Sequence, residues 1–294
     1  MAMTETAPLF GRKVIITGAN RGLGLEIARQ FAMAGADLAL GARDETLLGK
    51  ETQTLAEAYP ERRILWRKLD VSSETDTLAF VDWSLEALGR VDVLVNNAGV
   101  YGPMGDIADV DWREWVEAIQ VNLMGSVLMA RAVIGPMKGR GRGAIIQISG
   151  GGATNPLPGI TAYAASKAAI VRFAESLALE LKDSGIDVNA IAPGALNTRL
   201  LDEVIAAGPE RVGKAFYERS LEQRDKGGVP LEKGAALAVF LASEAARGIT
   251  GRLISAVWDR YENWQAHLDE LRKSDAYTLR RIVGRDRGFD WGDR

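Results

Sequence analysis

Tyr163 and Lys167 are the two residues whose types and spacing most directly indicate chemistry. They lie four positions apart, so on a helix the ammonium would lie beside the phenol. A nearby positive charge favours the phenolate and lowers the pKa of a tyrosine, which is normally about 10. Such a tyrosine can give a proton to a forming alkoxide or take one from an alcohol. The alternative is an ordinary pair on an exposed helix.

Two polar residues upstream are candidates for the same centre. Ser149 directly follows the apolar run Ala144–Ile148, and its hydroxyl could orient a substrate oxygen. Asn122 lies in a segment whose pattern predicts one helix from Trp112 to Met137, where its amide could hold a water. The alternatives are a serine that starts a turn and a buried asparagine that satisfies its neighbours. The predicted catalytic residues are therefore Asn122, Ser149, Tyr163 and Lys167.

A glycine-rich turn near the start of the chain predicts a dinucleotide site. Glycines between a strand and a helix let backbone N–H groups approach a pyrophosphate, and the positive end of the helix points at it. A merely tight turn is the alternative. The predicted contacts are Gly18, Asn20, Arg21, Gly22, Leu23 and Gly24.

The elements that must position these residues alternate between strand and helix patterns. Continuous apolar runs of strand length indicate strands that are covered on both faces. They are Val14–Thr17, Leu38–Leu40, Val91–Val95, Ala144–Ile148 and Val188–Ala192. Ile64–Leu69 is more polar and is expected near a sheet edge, and Leu253–Val257 is a plausible last strand. The alternation predicts an α/β fold with a doubly wound parallel sheet.

The pattern favours a single domain over residues 1–257 with two additions. Residues 196–229 are polar and glycine-punctuated, and they follow a strand, where a substrate lid would lie. Residues 258–294 are rich in aromatic side chains, which bury large areas. We expect this extension to pack on the domain or on a partner subunit and to fold over the substrate pocket there, with Trp258, Tyr261 and Trp264 as its anchors. A tail that only stabilises its own subunit is the alternative.

Composition excludes several classes of site. The 294 residues contain no cysteine and one histidine, His267, so disulfides, thiolate catalysis and cysteine- or histidine-rich metal sites are excluded. A net charge of −3 gives no case for nucleic acid or an anionic membrane as partner. The first ten residues lack the pattern of a signal peptide, and the apolar runs are strand-sized, so we expect a cytoplasmic protein. His267 is expected to be a surface or packing residue.

The order of these motifs resembles the short-chain dehydrogenase/reductase family over roughly residues 11–257. The glycine turn has the TGxxxGxG spacing, and four further residues fall in the order of the family's catalytic tetrad. The motifs are Thr17–Gly24, Asn96–Gly99, the tetrad Asn122, Ser149, Tyr163 and Lys167, and Pro193-Gly194 with Thr198. The resemblance implies a Rossmann-type sheet of about seven strands and carbonyl reduction or alcohol oxidation.

The resemblance also implies further cofactor contacts. Asp70 would receive the adenine amino group and Val71 would pack beside the ring, although a helix N-cap role is the alternative for Asp70. Three residues, Asn97, Ala98 and Gly99, would line the floor of the cleft. The nicotinamide end would meet Pro193, Gly194 and Thr198, and Lys167 would bind the ribose.

Two arginines favour NADP(H) over NAD(H). Arg43 ends the second strand, where it could pair with a 2′-phosphate, and Arg21 within the glycine turn could add a second cation. Asp44 lies near the spacing of an NAD-selecting acid, but we interpret it as the N-cap of a helix over Glu45–Ala58. The alternative for both arginines is solvated surface.

The sequence therefore predicts an NADP(H)-dependent oxidoreductase that acts on a carbonyl or secondary alcohol of a sugar, polyol or oxoacyl compound. The alternatives are an NADP(H)-binding sensor on the same fold and a sugar-nucleotide epimerase or dehydratase, whose larger substrate domain has no room here. Candidate substrate contacts are Ser149, Gly151, Asn155 and Tyr163. The helix that carries the small residues Ala164, Ala165, Ala168 and Ala169 often forms a dimer face in this family, so the resemblance implies a homodimer or homotetramer. An intramolecular contact is the alternative.

Overall fold

A parallel sheet of seven strands forms the centre of the computed structural model, which describes residues 7–291. The predicted Rossmann-type α/β class is confirmed, and Ile64–Leu69 does form an edge strand. The sheet order is β3-β2-β1-β4-β5-β6-β7. The strands are β1 Lys13–Thr17, β2 Asp37–Ala42, β3 Ile64–Lys68, β4 Val93–Asn96, β5 Gly143–Ile148, β6 Ile186–Ala192 and β7 Leu253–Ser255.

Helices cover both faces of this sheet. Successive residues of β1 alternate between two apolar cores, with Val14 and Ile16 in one core and Ile15 in the other. Both faces are therefore buried, which explains the continuous apolar runs. The α-helices are α1 Gly22–Met33, α2 Glu45–Ala58, α3 Glu74–Leu88, α4 Trp112–Ile119, α5 Gly125–Lys138, α6 Thr161–Glu180, α7 Arg199–Ala207, α8 Pro209–Val212, α9 Lys214–Lys226, α10 Leu231–Ala242 and α11 Leu268–Lys273.

The helix predicted from Trp112 to Met137 is not uniform. It consists of α4, a π-helical segment over Gln120–Met124, and α5. The whole stretch Trp112–Lys138 is long and apolar enough to cross a membrane, by length and composition alone. From the sequence we expect apolar runs of strand length and no more. However, Met129, Val133 and Met137 are fully buried, so the α5 part of the stretch packs into the core, whereas Trp112 at the start of α4 is exposed.

The segment 196–229 is helical rather than irregular. Glycines with positive φ separate its three helices, at Gly208 and Gly213, and Gly227 ends the last one. We keep the name insert for residues 196–229. Several of its side chains line the main cavity, together with residues that follow the sheet strands.

The segment after β7 packs on its own domain. The Arg252 guanidinium is buried and donates to the carbonyl oxygens of Leu271, Ser274 and Ala276. The N–H of Leu253 in β7 donates to the Tyr277 carbonyl at 2.8 Å. The extension thus covers the open edge of the sheet, which would otherwise offer unpaired backbone groups to another strand.

Two of the three predicted packing aromatics are buried. Tyr261 and Trp264 join the apolar core, whereas Trp258 is 85% exposed and lines the main cavity. Two of the aromatics thus fix the extension to its own domain, and its folding over the substrate pocket stays a prediction. His267 is exposed and lies 2.6 Å from Glu270, as befits a surface residue.

Candidate active site

A large cavity lies at the carboxyl ends of the strands. Its volume is about 1220 Å³, which exceeds the roughly 300–1,000 Å³ typical of small-molecule pockets. The cavity contains residues that follow six strands in turn: Gly18, Arg43, Asp70, Asn97, Ser149 and Pro193. Crevices at this edge, where the strand order reverses between β1 and β4, are where such sheets bind ligands. There is room for a dinucleotide and a small substrate together.

The structure brings all but one of the predicted site residues to this cavity. The cofactor set, Gly18 to Gly24 with Arg43, Asp70, Val71, Asn97–Gly99, Pro193, Gly194 and Thr198, lies along one part of its wall. Ser149, Gly151, Asn155, Tyr163 and Lys167 also line it. Asn122 is the exception, because it is buried behind the wall.

The geometry of the glycine turn suits a pyrophosphate. Gly18 and Gly22 have φ of +64° and +55°, which side-chain-bearing residues rarely adopt. A Cβ on Gly24 would clash with the Gly18 carbonyl and the Asn97 amide. Arg21 starts α1 without a side-chain cap, so the first N–H groups of that helix are left for a ligand. These residues therefore fit the group that the motif implies.

Thr17 holds the floor of the cleft, a role that the sequence reasoning missed. Its hydroxyl accepts from the backbone N–H groups of Asn97 and Ala98 at 3.0 and 3.1 Å. The Asn97 amide in turn donates to the carbonyls of Thr17 and Gly18. The ends of β1 and β4 are thereby joined directly under the glycine turn. In the sequence, this role could have been inferred from the position of Thr17 at the end of a predicted strand.

The adenosine end of the cavity carries two exposed ion pairs. Asp44 caps α2 by accepting from the Leu47 N–H, as predicted, and its other oxygen lies 2.9 Å from Arg21. Arg43 lies 3.5 Å from Glu117. Exposed pairs of this kind contribute about 0–1 kcal/mol each, so a phosphate dianion can compete for both guanidinium groups.

Asp70 does not cap the following helix. Ser73 is the N-cap of α3, and its hydroxyl accepts from the Asp76 N–H. Asp70 instead accepts from the N–H and hydroxyl of Ser72, at 3.0 and 2.7 Å. The alternative role as an N-cap is therefore wrong, and Asp70 stays at the cavity wall.

Tyr163 and Lys167 share a face of α6, as their spacing predicts. The Lys167 Nζ lies 5.6 Å from the centroid of the Tyr163 ring and donates to the Ile148 carbonyl at 2.8 Å. Burial lowers the pKa of Lys167 to about 8, because a charged amine loses its hydration there. The ammonium is still the major form at neutral pH.

The phenol does not titrate as the sequence suggested. Burial raises the pKa of Tyr163 above its ordinary value, and Tyr101 contributes to the same direction. The predicted lowering by Lys167 is thus wrong for the groups of the chain itself. The main cause is desolvation, which disfavours the charged phenolate. Tyr163 is therefore neutral and able to donate a proton.

Ser149 and Gly150 shape the space around the phenol. The buried Ser149 hydroxyl donates to the Lys167 carbonyl at 3.4 Å, a long contact that leaves it available to a ligand. A Cβ on Gly150 would clash with the Tyr163 hydroxyl, so only glycine leaves that hydroxyl in place. The serine, the phenol and the amine therefore face one cavity.

Asn122 acts through the backbone rather than in the cavity. Its side chain accepts from the Val100 N–H and donates to the Val100 carbonyl, both at 2.8 Å. It also donates to the Ser166 hydroxyl, which donates to the Tyr163 carbonyl. Both amide N–H groups are used by protein atoms, while the amide oxygen accepts a single hydrogen bond. The water contact of this amide stays a prediction. Asn122 ties the loop after β4 to α6.

Tyr101 is a further aromatic wall that the sequence reasoning did not single out. Its ring meets that of Tyr163 edge-on, with centroids 4.6 Å apart, and it lines the cavity. Burial raises the pKa of Tyr101 to about 12, and Glu203 of the insert acts in the same direction. In the sequence, the one indication that Tyr101 lies near the cavity was its position two residues after Gly99. The insert therefore reaches the surroundings of the reactive tyrosine.

Small residues also form the cavity wall that follows β6. Gly194 has φ of +95°, and a Cβ there would meet the side chains of Val229 and Val257 at 2.9 Å. The Thr198 side chain lies 3.5 Å from where a Cβ of Gly22 would stand, so it adjoins the glycine turn. Among residues 7–291, no cluster of histidine, aspartate or glutamate could hold a metal ion.

Comparison with known proteins identifies the family. Residues 12–207 match the model of the short chain dehydrogenases. The chain is 34% identical over 244 residues to L-fucose dehydrogenase of Oryctolagus cuniculus, covering 83% of each protein. It is also 34% identical over 260 residues to 7alpha-hydroxysteroid dehydrogenase of Escherichia coli, covering 87% of this chain and 96% of that one.

Solved structures agree with the sequence relatives. Levodione reductase superposes with a TM-score of 0.78 and 28% identity, covering 88% of this chain and 99% of that chain. A short-chain alcohol dehydrogenase from Sinorhizobium meliloti superposes with a TM-score of 0.74 and 31% identity, over 84% and 95% of the two chains. With its motifs gathered at one cavity, this chain belongs to the short-chain dehydrogenase/reductase family and is an NAD(P)-dependent oxidoreductase.

Proposed function

We propose that this oxidoreductase uses NADP(H) and reduces a carbonyl group, or oxidises the matching secondary alcohol, of a sugar, polyol or oxoacyl compound. The observation that carries the proposal is the neutral Tyr163 phenol, which faces the same cavity as the glycine turn. Relatives named for L-fucose and for a 7alpha-hydroxysteroid support a secondary alcohol on a ring as the reacting group.

Ser149, Tyr163 and Lys167 have separate roles in the proposed reaction. When bound, the nicotinamide supplies or accepts the hydride. Ser149 holds the substrate oxygen by a hydrogen bond, and Tyr163 donates the proton that this oxygen needs as negative charge develops on it. In the reverse direction Tyr163 accepts that proton. Lys167, charged at neutral pH, adds a positive field beside the phenol and a donor for the ribose hydroxyls.

The cofactor preference rests on Arg21 and Arg43. Asp44, the acidic residue nearest to the NAD-selecting position, is already engaged by the α2 N-terminus and by Arg21. It is therefore a poor acceptor for a ribose hydroxyl, whereas the two guanidinium groups offer several donors to a phosphate.

Four further proposals complete this picture. The oxidoreductase domain spans residues 1–257 with the insert as its lid, and residues 258–294 form an extension. The protein acts in the cytoplasm as a homodimer or homotetramer. Its partner is a small molecule, and no nucleic acid, membrane or metal takes part.

The cofactor proposal is tested by kinetics with both nucleotides. Wild type is expected to show a higher kcat/KM with NADPH than with NADH. Arg43→Gln should raise the KM for NADPH about tenfold and leave that for NADH unchanged, because a charge-assisted contact contributes about 1.5–3 kcal/mol. Arg131→Gln, which removes the exposed ion pair between Arg131 of α5 and Glu74 of α3, is the control. A preference for NADH in wild type would overturn the proposal.

A further inference from the structure

Tyr101 forms one side of the space that encloses the Tyr163 ring. The two rings meet edge-on at 68°, with centroids 4.6 Å apart, which is a favoured geometry for an aromatic pair. At the hydroxyl end of the Tyr163 ring, the Gly150 backbone lies so close that a Cβ there would overlap the phenol oxygen. The position of the phenol therefore depends on the Tyr101 ring staying in place.

The backbone on both sides of Tyr101 is fixed. The N–H and carbonyl of Val100 both pair with the Asn122 side chain at 2.8 Å. Gly102 follows with φ of +74°, and a Cβ there would stand 2.6 Å from the Cβ of Ala118 in α4. The loop therefore cannot carry the Tyr101 ring away without breaking these hydrogen bonds or this close contact.

The same contacts tie Tyr101 to the helix that carries Tyr163. Asn122 also donates to the Ser166 hydroxyl, which donates to the Tyr163 carbonyl at 2.7 Å. A Cβ on the glycine after Tyr101 would lie 3.6 Å from the Cβ of Ala162, the residue before Tyr163. The backbones that carry the two rings are thus held relative to each other, as the support of a reacting group requires.

The electrostatic surroundings of the ring pair keep Tyr163 protonated. Lys167 of α6 lies 5.6 Å from the centroid of the Tyr163 ring, and Glu203 of α7 acts on Tyr101. Burial raises the pKa of Tyr163 above its ordinary value, and Tyr101 contributes to the same direction. Removing the Tyr101 ring would admit water to the phenol and lower that pKa.

We propose that Tyr101 is a positioning residue, whose ring holds the Tyr163 phenol beside Gly150 in the orientation that proton transfer requires. The contact is made between the rings, so the Tyr101 hydroxyl is not needed for it. The inference rests on the proposed function, in which Tyr163 donates the proton to the substrate oxygen. A displaced donor lowers kcat, because proton transfer depends steeply on the position of the donor.

Reduction of cyclohexanone by NADPH compares two substitutions of Tyr101. Tyr101→Ala should lower kcat about tenfold, the contribution of one aromatic pair, and leave the KM for NADPH near that of wild type. Tyr101→Phe keeps the ring and should have the kcat of wild type. The control is Tyr277→Ala, which removes one ring of the pair with Trp264 outside this cavity and should leave kcat unchanged.

The pH profile distinguishes positioning from a general loss of stability. In Tyr101→Ala the alkaline fall of kcat should begin at lower pH than in wild type, because the phenol is less buried, whereas Tyr101→Phe should resemble wild type. A raised KM for cyclohexanone with unchanged kcat would assign the ring to substrate binding and overturn the inference. Equal losses of kcat in the two Tyr101 variants would also overturn it, since they would assign the effect to the hydroxyl.

Titration of the phenol by NMR separates this inference from the proposed function. With tyrosine labelled with ¹³C at Cζ, the Tyr163 signal is assigned by its loss in Tyr163→Phe, and it should titrate at lower pH in Tyr101→Ala than in wild type. If Tyr163→Phe is inactive and Tyr101→Ala matches wild type in kcat and titration, the inference fails and the proposed function stands. If Tyr163→Phe keeps wild-type turnover, or wild type does not reduce cyclohexanone, the titration still decides whether the Tyr101 ring holds the phenol.

Discussion

Lys167 pairs two properties that usually exclude each other, namely full burial and a charge at neutral pH. Its amine is held by a single carbonyl, that of Ile148, and burial lowers its pKa from 10.5 to about 8. The folded chain therefore keeps an ammonium where water is excluded, next to the phenol that must act. Sites of this kind are destabilised locally for the sake of function.

This arrangement predicts how stability depends on pH. Because the pKa of Lys167 is lower in the folded state, the charged amine destabilises the fold fully below pH 8, and the penalty vanishes as pH rises to about 10.5. The free energy of unfolding of wild type, relative to Lys167→Met, should rise by about 3 kcal/mol over that window. Chemical denaturation at several pH values measures the difference, with Lys68→Met in exposed β3 as the control. A constant or falling difference would contradict this assignment.

Gly150 is a second residue whose type is dictated by its neighbour. Gly150→Ala places a methyl group against the Tyr163 hydroxyl, so the phenol must shift, and kcat should fall about 100-fold, as for a misplaced catalytic group. Gly151→Ala is the matched control, because its methyl has no neighbour within 4 Å, and kcat for a small alcohol should stay near wild type. Similar kcat values for the two variants would show that the phenol is not held as described.

Among the elements, the strands were the most predictable. Helices cover both sides of the sheet, so both faces of each central strand are buried. Such a strand appears in the sequence as an unbroken run of apolar residues. The helices of the insert were missed because α9 presents mostly polar side chains, although Gly208, Gly213 and Gly227 did mark helix ends.

Other features could not be predicted because they depend on contacts between residues far apart in the chain. One example is the hydrogen bond from the Leu279 N–H to the Glu175 carboxylate. Another is the hydrogen bond from the Leu253 N–H of β7 to the Tyr277 carbonyl. The raised pKa of Tyr163 is another, since burial cannot be counted from local sequence.

The extension is expected to be an integral part of the domain. Ending the chain after Val257 removes buried Tyr261 and Trp264 and leaves the Arg252 guanidinium without its three carbonyl acceptors. The loss should exceed about 3 kcal/mol of unfolding free energy, as for deletion of one large buried aromatic, and the bare β7 edge should promote association. Thermal unfolding and light scattering would measure both effects.

The matched truncation ends the chain after Arg281. It keeps the backbone contacts of Leu279 with Glu175 and Arg172 and removes exposed side chains such as Ile282, Phe289 and Trp291. This variant should unfold within about 1 kcal/mol of wild type, as for changes at exposed positions. Equal stability of the two truncations would show that residues 258–281 do not stabilise the domain.

At the scale of the whole molecule, the sheet brings distant residues to one edge. The glycine turn follows β1, Ser149 follows β5, and Tyr163 lies on the helix that leads to β6. The family and the cavity could be predicted from the sequence because the glycine turn, Asn97, Ser149 and Pro193 follow strand ends and the Tyr163/Lys167 pair has helical spacing. Which residues surround the cavity entrance could not be predicted, because Trp258 and the insert come together only in the folded chain.

The most direct test of the account is Tyr163→Phe, measured as turnover and as NADPH binding on the same preparation. Removing the hydroxyl should lower kcat about 10²–10⁴-fold, the usual contribution of a general acid, while the dissociation constant for NADPH stays near that of wild type. Tyr101→Phe keeps the edge-on ring and should retain wild-type turnover. If Tyr163→Phe turned over at a rate close to wild type, another group would be the proton donor and the account would be wrong.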